Sequence, residues 1–148
     1  MLVSASSLRD DSERFAVDLV KEGSVDCVYN PLMYAWDVHK RYIEISGGRG
    51  AKTVMLGMNP GPHGMGQMGI PFAATSMVRD LLGISGIPVG QPSKPHPRRP
   101  VIGLDYPREE VSGTRVWGLL SNTYGGSDSI FEKVFPVSYT HLTLPTKA

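Results

Sequence analysis

Cys27 is the only cysteine in the chain. A lone thiol excludes an internal disulfide framework and a cysteine-ligated iron–sulfur or zinc centre, and it suits a reducing compartment. Net charge is also scarce: 15 Lys and Arg against 14 Asp and Glu leave +1 at pH 7, so a basic surface for nucleic acid has to come from local clustering. No apolar run approaches membrane-spanning length. Arg9, Asp10, Asp11 and Glu13 stand where a secretory signal needs an uninterrupted apolar stretch, and the expectation is a soluble, intracellular protein. No internal repeat is visible. The four histidines, at 39, 63, 96 and 141, show no metal-ligand spacing.

A length of 148 residues with 41% hydrophobic content suits one core and one domain. Leu8, Phe15, Leu19 and Val20 fall on one helical face, with Ser7 and Asp10 spaced as a capping box and Gly23 as a stop. A second helix is expected from Asn30, a capping residue followed by Pro31, to about Ser46 before Gly47. Its aromatics Tyr34, Trp36 and Tyr42 read as core and sheet shielding, with cofactor stacking as the alternative. Thr53 to Met58 reads as a strand buried on both faces. Ser76 can cap a helix ending at Gly83. The proline-rich run 87–100 reads as an extended loop whose Lys94, Arg98 and Arg99 either are merely solvated or meet phosphates. Short strands are expected at Val101–Leu104 and Phe131–Val137, flanking a helix capped by Ser112 and stopped near Gly125. Alternating strands and helices indicate an α/β layered domain with a mostly parallel sheet. About three strands are few for a closed core, so the sheet is expected to be incomplete, with an unpaired edge and exposed apolar surface.

The chemistry is expected between Val54 and Phe72, where an apolar strand empties into glycines, prolines and methionines around Asn59. The C-terminal edge of an open α/β sheet is where ligands bind, on loops carried by a rigid scaffold. Gly64, Gly66 and Gly69 spell a literal GxGxxG, but five residues, 59–63, separate it from the strand and Ile70-Pro71-Phe72 follows instead of a helix, so a dinucleotide cradle is rejected. A Walker-type loop fails for want of Gly-Lys-Ser/Thr. His63 reads as loop filler more readily than as a functional group. An amide fixed between Met58 and Pro60 is no strong base, yet it can orient a water while neighbouring glycine N–H groups bind an anion or carbonyl. Phe72 would stack a planar ligand or serve the core.

Gly57 to Pro62, then Gly64-Met65, Gln67, Gly69 and Pro71-Phe72, resemble the first active-site motif of the single-strand-selective monofunctional uracil-DNA glycosylases. Tyr29-Asn30-Pro31, Tyr34-Ala35-Trp36, Ser76 to Asp80, His96 to Pro100, Ser112-Gly113, Arg115 and Trp117-Gly118 resemble that family in the same order. The likeness covers roughly Cys27 to Val137. It implies a three-layer αβα glycosylase fold, truncated, and a monomeric nuclear base-excision enzyme. Such an enzyme flips uracil or 5-hydroxymethyluracil out of single- or double-stranded DNA and hydrolyses its N-glycosidic bond without a metal or other cofactor. By this resemblance Asn59 positions the water, Met58, Gly61 and Met65 line the base pocket, Phe72 stacks on the base, and Lys94, Arg98 and Arg99 meet phosphates.

The resemblance stops after Val137. The family's base-reading Asn and its later His-Pro-Ser motif are absent, and His141 is no substitute. Residues 1–137 are therefore expected to be the N-terminal part of one glycosylase domain. Residues 138–148 resemble translated adapter read-through, expected to be disordered or artefactual. His63 stands where the family usually has an aromatic residue. The expectation is a chain with little or no glycosylase activity of its own; the alternative is a non-catalytic fragment that binds single-stranded nucleic acid.

Overall fold

The computed structural model describes residues 2–23, 25 and 27–138; of the tail expected to be disordered at 138–148, Ser138 is instead a buried strand residue paired with Gly57, and 139–148, with His141, lie outside the described residues. Helix α1 spans Leu2–Lys21 and starts before the Ser7 box. Its exposed Phe15 and Val17 flank a buried Ala16; the side chains of Leu8 and Val20 are outside the described ones. Side-chain contacts to Trp36 and Asn30 help dock α1. The Arg9 guanidinium lies 4.7 Å from the centre of the Trp36 ring, and Asn30 Nδ2 donates to Ser12 Oγ at 2.9 Å.

Asn30 caps as its sequence position demands, accepting from Leu32 N at 3.2 Å, with Pro31 in the first turn. The helix is not continuous, however. It divides into α2, Pro31–Tyr34, and α3, Trp36–Ser46, because Ala35 leaves helical geometry. Ala35 carries no side chain beyond Cβ, and that Cβ packs against Gly69. The break therefore lets α2 and α3 close over the glycine-rich loop. Tyr42 is buried, and its hydroxyl donates to Pro136 O at 2.5 Å.

Strand β1, Thr53–Gly57, pairs in parallel with β2, Val134–Ser138, in the register Thr53 with Val134 through Gly57 with Ser138. These two form the sheet among the described residues. The expected third strand at 101–104 is absent: Gly103 has φ +82° and starts a single 3-10 turn, Gly103–Asp105. The strand placed at Phe131–Val137 starts three residues late. Phe131 belongs to α6, Ser127–Lys133, where its ring packs edge-on against Tyr42 and Trp117, at 5.8 and 6.0 Å. Nor is β1 covered on both faces, since Val54 and Leu56 are 64% and 52% exposed. With one neighbouring strand, β1 keeps an open edge and an uncovered face, as the small strand count implied.

Helices α3, α5 (Val111–Tyr124) and α6 pack their apolar sides with Met68, Ile70, Val78, Leu82 and Ile84 into one core. The helix expected from Ser76 is a short turn beginning at Thr75 and widening to a π-helical segment, Met77–Leu81, where Leu82 N reaches back to Met77 O at 3.0 Å. Neither Ser76 nor Ser112 caps: Ser76 is already helical, and α5 begins one residue earlier with Glu110 in the cap position. Gly83, at φ +65°, and Gly125, at φ +87°, end their helices as the sequence implies. No helix among the described residues is long and apolar enough to cross a membrane.

Candidate active site and basic cavity

Asn59 leaves the C-terminal end of β1 exposed to solvent, next to Met58, which is 86% exposed. Its side chain carries no hydrogen bond among the described residues. Behind it the loop folds on itself. Gly61 O accepts from Gly66 N at 2.9 Å and from Gly64 N at 3.3 Å, and Met65–Met68 form one helical turn, α4. Met65 is buried, and Gly61 is half-buried.

Phe72 lies at the same strand end. Its Cζ is 3.0 Å from the position a Cβ would take on Gly57, two residues before Asn59, so only glycine there admits the ring at this distance. Phe72 has φ +54° and is the one described non-glycine residue with positive φ. Strain of this kind persists where the surroundings over-determine it and gathers at functional sites. Those surroundings are glycines. The Ala73 carbonyl abuts the α-carbon of Gly64, and the Phe72 carbonyl abuts that of Gly113 in α5. A methyl group at either glycine would collide with backbone, so both are required for the chain to hold Phe72 in place.

Two residues fix the loop: Gln67, which the sequence shows only as a member of the motif with no role attached, and Glu110, which no motif marks. Gln67, buried in α4, uses its whole amide: Nε2 donates to Pro62 O at 3.2 Å and Pro100 O at 3.1 Å, and Oε1 accepts from Ile102 N at 2.8 Å. Glu110 turns its carboxylate away from its own helix and towards the loop. Oε2 accepts from His63 N at 3.3 Å and touches Gly61. Apart from Pro62, five residues from Gln67, the partners lie 33 to 47 residues away, so neither bracing role has a local signal.

His63 is more than loop filler. Its ring stacks on Tyr106, with centres 5.6 Å apart and planes at 18°, and Nδ1 lies 2.7 Å from the Tyr106 hydroxyl. This pair forms part of the wall of a cavity of about 570 Å³, with Tyr29, Arg98, Arg99 and Arg108. Neither Asn59 nor Phe72 lines it. Lys94 does not join the arginines; it lines a separate cavity of about 470 Å³ with Glu13 and Tyr34. The Tyr34 hydroxyl donates to Gly66 O at 2.6 Å, and burial, followed by the neighbouring Tyr29, pushes its phenol well above the usual range. No group of three His, Cys, Asp or Glu among the described residues could hold a metal ion.

No family model matches the chain. It is 47% identical over 111 residues, 75% of its length, to the single-strand selective monofunctional uracil DNA glycosylase of Bos taurus. It is 44% identical over the same share to the mouse and rat proteins of that name. The chain spans about 40% of the length of these curated relatives.

Proposed function

Because the chain belongs to the family of single-strand selective monofunctional uracil-DNA glycosylases, we propose that it is part of a base-excision repair enzyme that hydrolyses the N-glycosidic bond of uracil or 5-hydroxymethyluracil in DNA. The observation that supports this most is the pairing at one strand end of a solvent-exposed Asn59 with a conformationally forced Phe72 ring. Asn59 is an amide with both hydrogen-bonding roles open. It accepts from the attacking water and orients it at the sugar C1′, while Phe72 stacks on the extruded base. Met58, Gly61 and Met65 contribute the wall of the base pocket, beside the pyrimidine 5-position.

The bond breaks with an oxocarbenium-like sugar and an anionic uracil. Asn59 can position the water, but stabilising the leaving group needs donors on the opposite side of the base. No family motif for those donors occurs in this chain, and each such donor is worth about 10²–10³ in rate. The 148-residue chain therefore supplies the water-positioning half of the site and turns over slowly alone. The exposed face of β1 supports a three-layer αβα arrangement in the whole enzyme, whose mostly parallel sheet continues beyond the two described strands. The enzyme acts on DNA as a monomer in the nucleus, and the reaction needs no cofactor.

Free uracil released from a uracil-containing single-stranded oligonucleotide, quantified by mass spectrometry, tests this reading. Residues 1–137 joined to the downstream segment of the bovine relative are expected to release uracil and leave an abasic site. An intact glycosidic bond after prolonged incubation would refute it. The second reading, a non-catalytic single-stranded nucleic-acid binder, is favoured by the arginines around the 570 Å³ cavity.

A further inference from the structure

Asn59 stands exposed beyond the end of β1, and its side chain has no hydrogen bond among the described residues. The direction of the amide is therefore inherited from the backbone on either side of it. Before Asn59 that backbone is fixed by the parallel ladder, in which Gly57 pairs with Ser138. After it the chain leaves the sheet through Pro60 and Gly61, and its hold has to come from elsewhere. Gly66 N and Gly64 N reach the Gly61 carbonyl, but they belong to the same loop and move with it. Gln67 ties the loop to another loop, at Pro100 and Ile102. Glu110 ties it to α5, whose Trp117 and Leu120 are set in the core.

The Glu110 side chain runs along the loop from Gly64 to Gly61. Its Cβ and Cγ lie 3.1 Å from the place a Cβ on Gly64 would take, Oε2 accepts from His63 N at 3.3 Å, and the same oxygen fills the place a Cβ on Gly61 would take. A side chain at either glycine would displace it. A residue just before a helix ordinarily turns its side chain to the helix's free N–H groups, yet α5 has no side-chain cap. The one hydrogen bond of the Glu110 carboxylate among the described residues goes to the loop instead. The backbone beneath is pinned, since Glu110 O accepts from Thr114 N at 3.0 Å and from Thr114 Oγ1 at 3.2 Å. The neighbouring Glu109 holds the other side of the site: its Oε1 accepts from Ser76 N at 2.9 Å, a short way beyond Phe72. The start of α5 thus grips both the chain leaving Asn59 and the chain leaving Phe72.

We infer that Glu110 is a positioning residue for the hydrolysis: acting through Gly61, His63 and Gly64, it sets the direction in which the Asn59 amide presents its water. It makes no contact with substrate in this role. Misplacing a reacting group by about 1 Å costs about 10²-fold in rate, and a side chain with no hydrogen bond of its own takes up any shift of its backbone in full. The inference rests on the reading of Asn59 as the residue that orients the water.

The test is single-turnover release of uracil from a single-stranded oligonucleotide by residues 1–137 completed with the bovine downstream segment. Protein concentration is varied so that the maximal rate and the half-saturating concentration are read separately, at a temperature where circular dichroism shows each protein folded. Glu110→Ala is expected to lower the maximal rate at least about tenfold and to leave half-saturation unchanged. Glu110→Gln keeps the stem and an oxygen for His63 N, and should restore most of the rate. In the Asn59→Ala background Glu110→Ala should cost nothing further, because its effect passes through the amide. Glu110→Asp, whose carboxylate stops short of Gly61, should also be slow, and it carries the test if the alanine variant fails to fold. Maximal rates equal to the parent's in the alanine and aspartate variants would overturn the inference, as would an equal loss with Asn59 absent or a glutamine variant as slow as the alanine one. A parent that releases no uracil would instead refute the glycosylase reading, and this inference with it.

Discussion

The Glu110 carboxylate occupies the space in which any side chain at Gly61 would have to sit, while its Oε2 accepts from His63 N at 3.3 Å. A helix-capping position is thus diverted to brace the loop that carries Asn59. Gly61→Ala should push the carboxylate out and cost about 1–3 kcal/mol, the usual penalty of overpacking. Adding Glu110→Ala should recover part of that loss. A double-mutant cycle by urea denaturation should give a coupling of about 0.5–3 kcal/mol, and additive effects would show that the contact carries no strain.

Gln67→Leu keeps volume but strands the Ile102 N–H and the Pro62 and Pro100 carbonyls. Pro62, Pro100 and Ile102 are themselves exposed, so water takes up part of each lost bond and each costs about 0.5–1.5 kcal/mol, as an ordinary hydrogen bond does. Hydrogen exchange should show faster exchange at Ile102 than in the parent, and unchanged protection there would contradict the bracing role.

The Trp117 ring is buried, and its Nε1–H finds no partner among the described residues. Trp117→Phe should therefore cost far less than the ~3–5 kcal/mol of truncation to alanine, because it removes an unsatisfied donor worth ~1–3 kcal/mol while keeping an aromatic ring against Phe131. Denaturation midpoints of the two variants decide this; equal losses would mean the N–H is satisfied in solution.

Burial raises the phenols of Tyr34 and Tyr42 far above the ordinary tyrosine value of 10.0. A group whose folded pKa is raised contributes stability that is present below its unfolded pKa and lost as pH climbs above it. The fold should therefore weaken progressively above about pH 10. Absorbance at 295 nm should show these two phenols ionising only together with loss of near-ultraviolet circular dichroism. Their ionisation in a chain that keeps its aromatic dichroism would contradict the burial.

What was legible in the sequence was local. Asn30 with Pro31 announces a helix start, Gly83 and Gly125 announce helix ends, and the apolar run into Asn59 announces a strand followed by a loop, because each signal lies within a few residues of its effect. Phe131 reads equally as strand, because an aromatic before Val134 fits both patterns, and only its packing on Tyr42 and Trp117 assigns it to α6. The exposure of Val54 and Leu56 depends on strands elsewhere, so their apolar character could not reveal it. Glu110 and Arg108 carry no motif, and Gln67 stands in the motif without a role, because most of the groups they meet are far away in sequence. The separation of Lys94 from Arg98 and Arg99 is likewise a product of folding, since a loop that bends at His96 sends its two ends to different cavities.

The most direct test of the central claim is uracil release from a single-stranded oligonucleotide by residues 1–137 completed with the bovine downstream segment, measured with Asn59 intact and as Asn59→Ala. Single-turnover rates are expected to fall by about 10²–10³ when the amide is removed, while affinity for uracil-free DNA stays unchanged. Equal rates for the two proteins would contradict the assignment of Asn59 as the residue that positions the water.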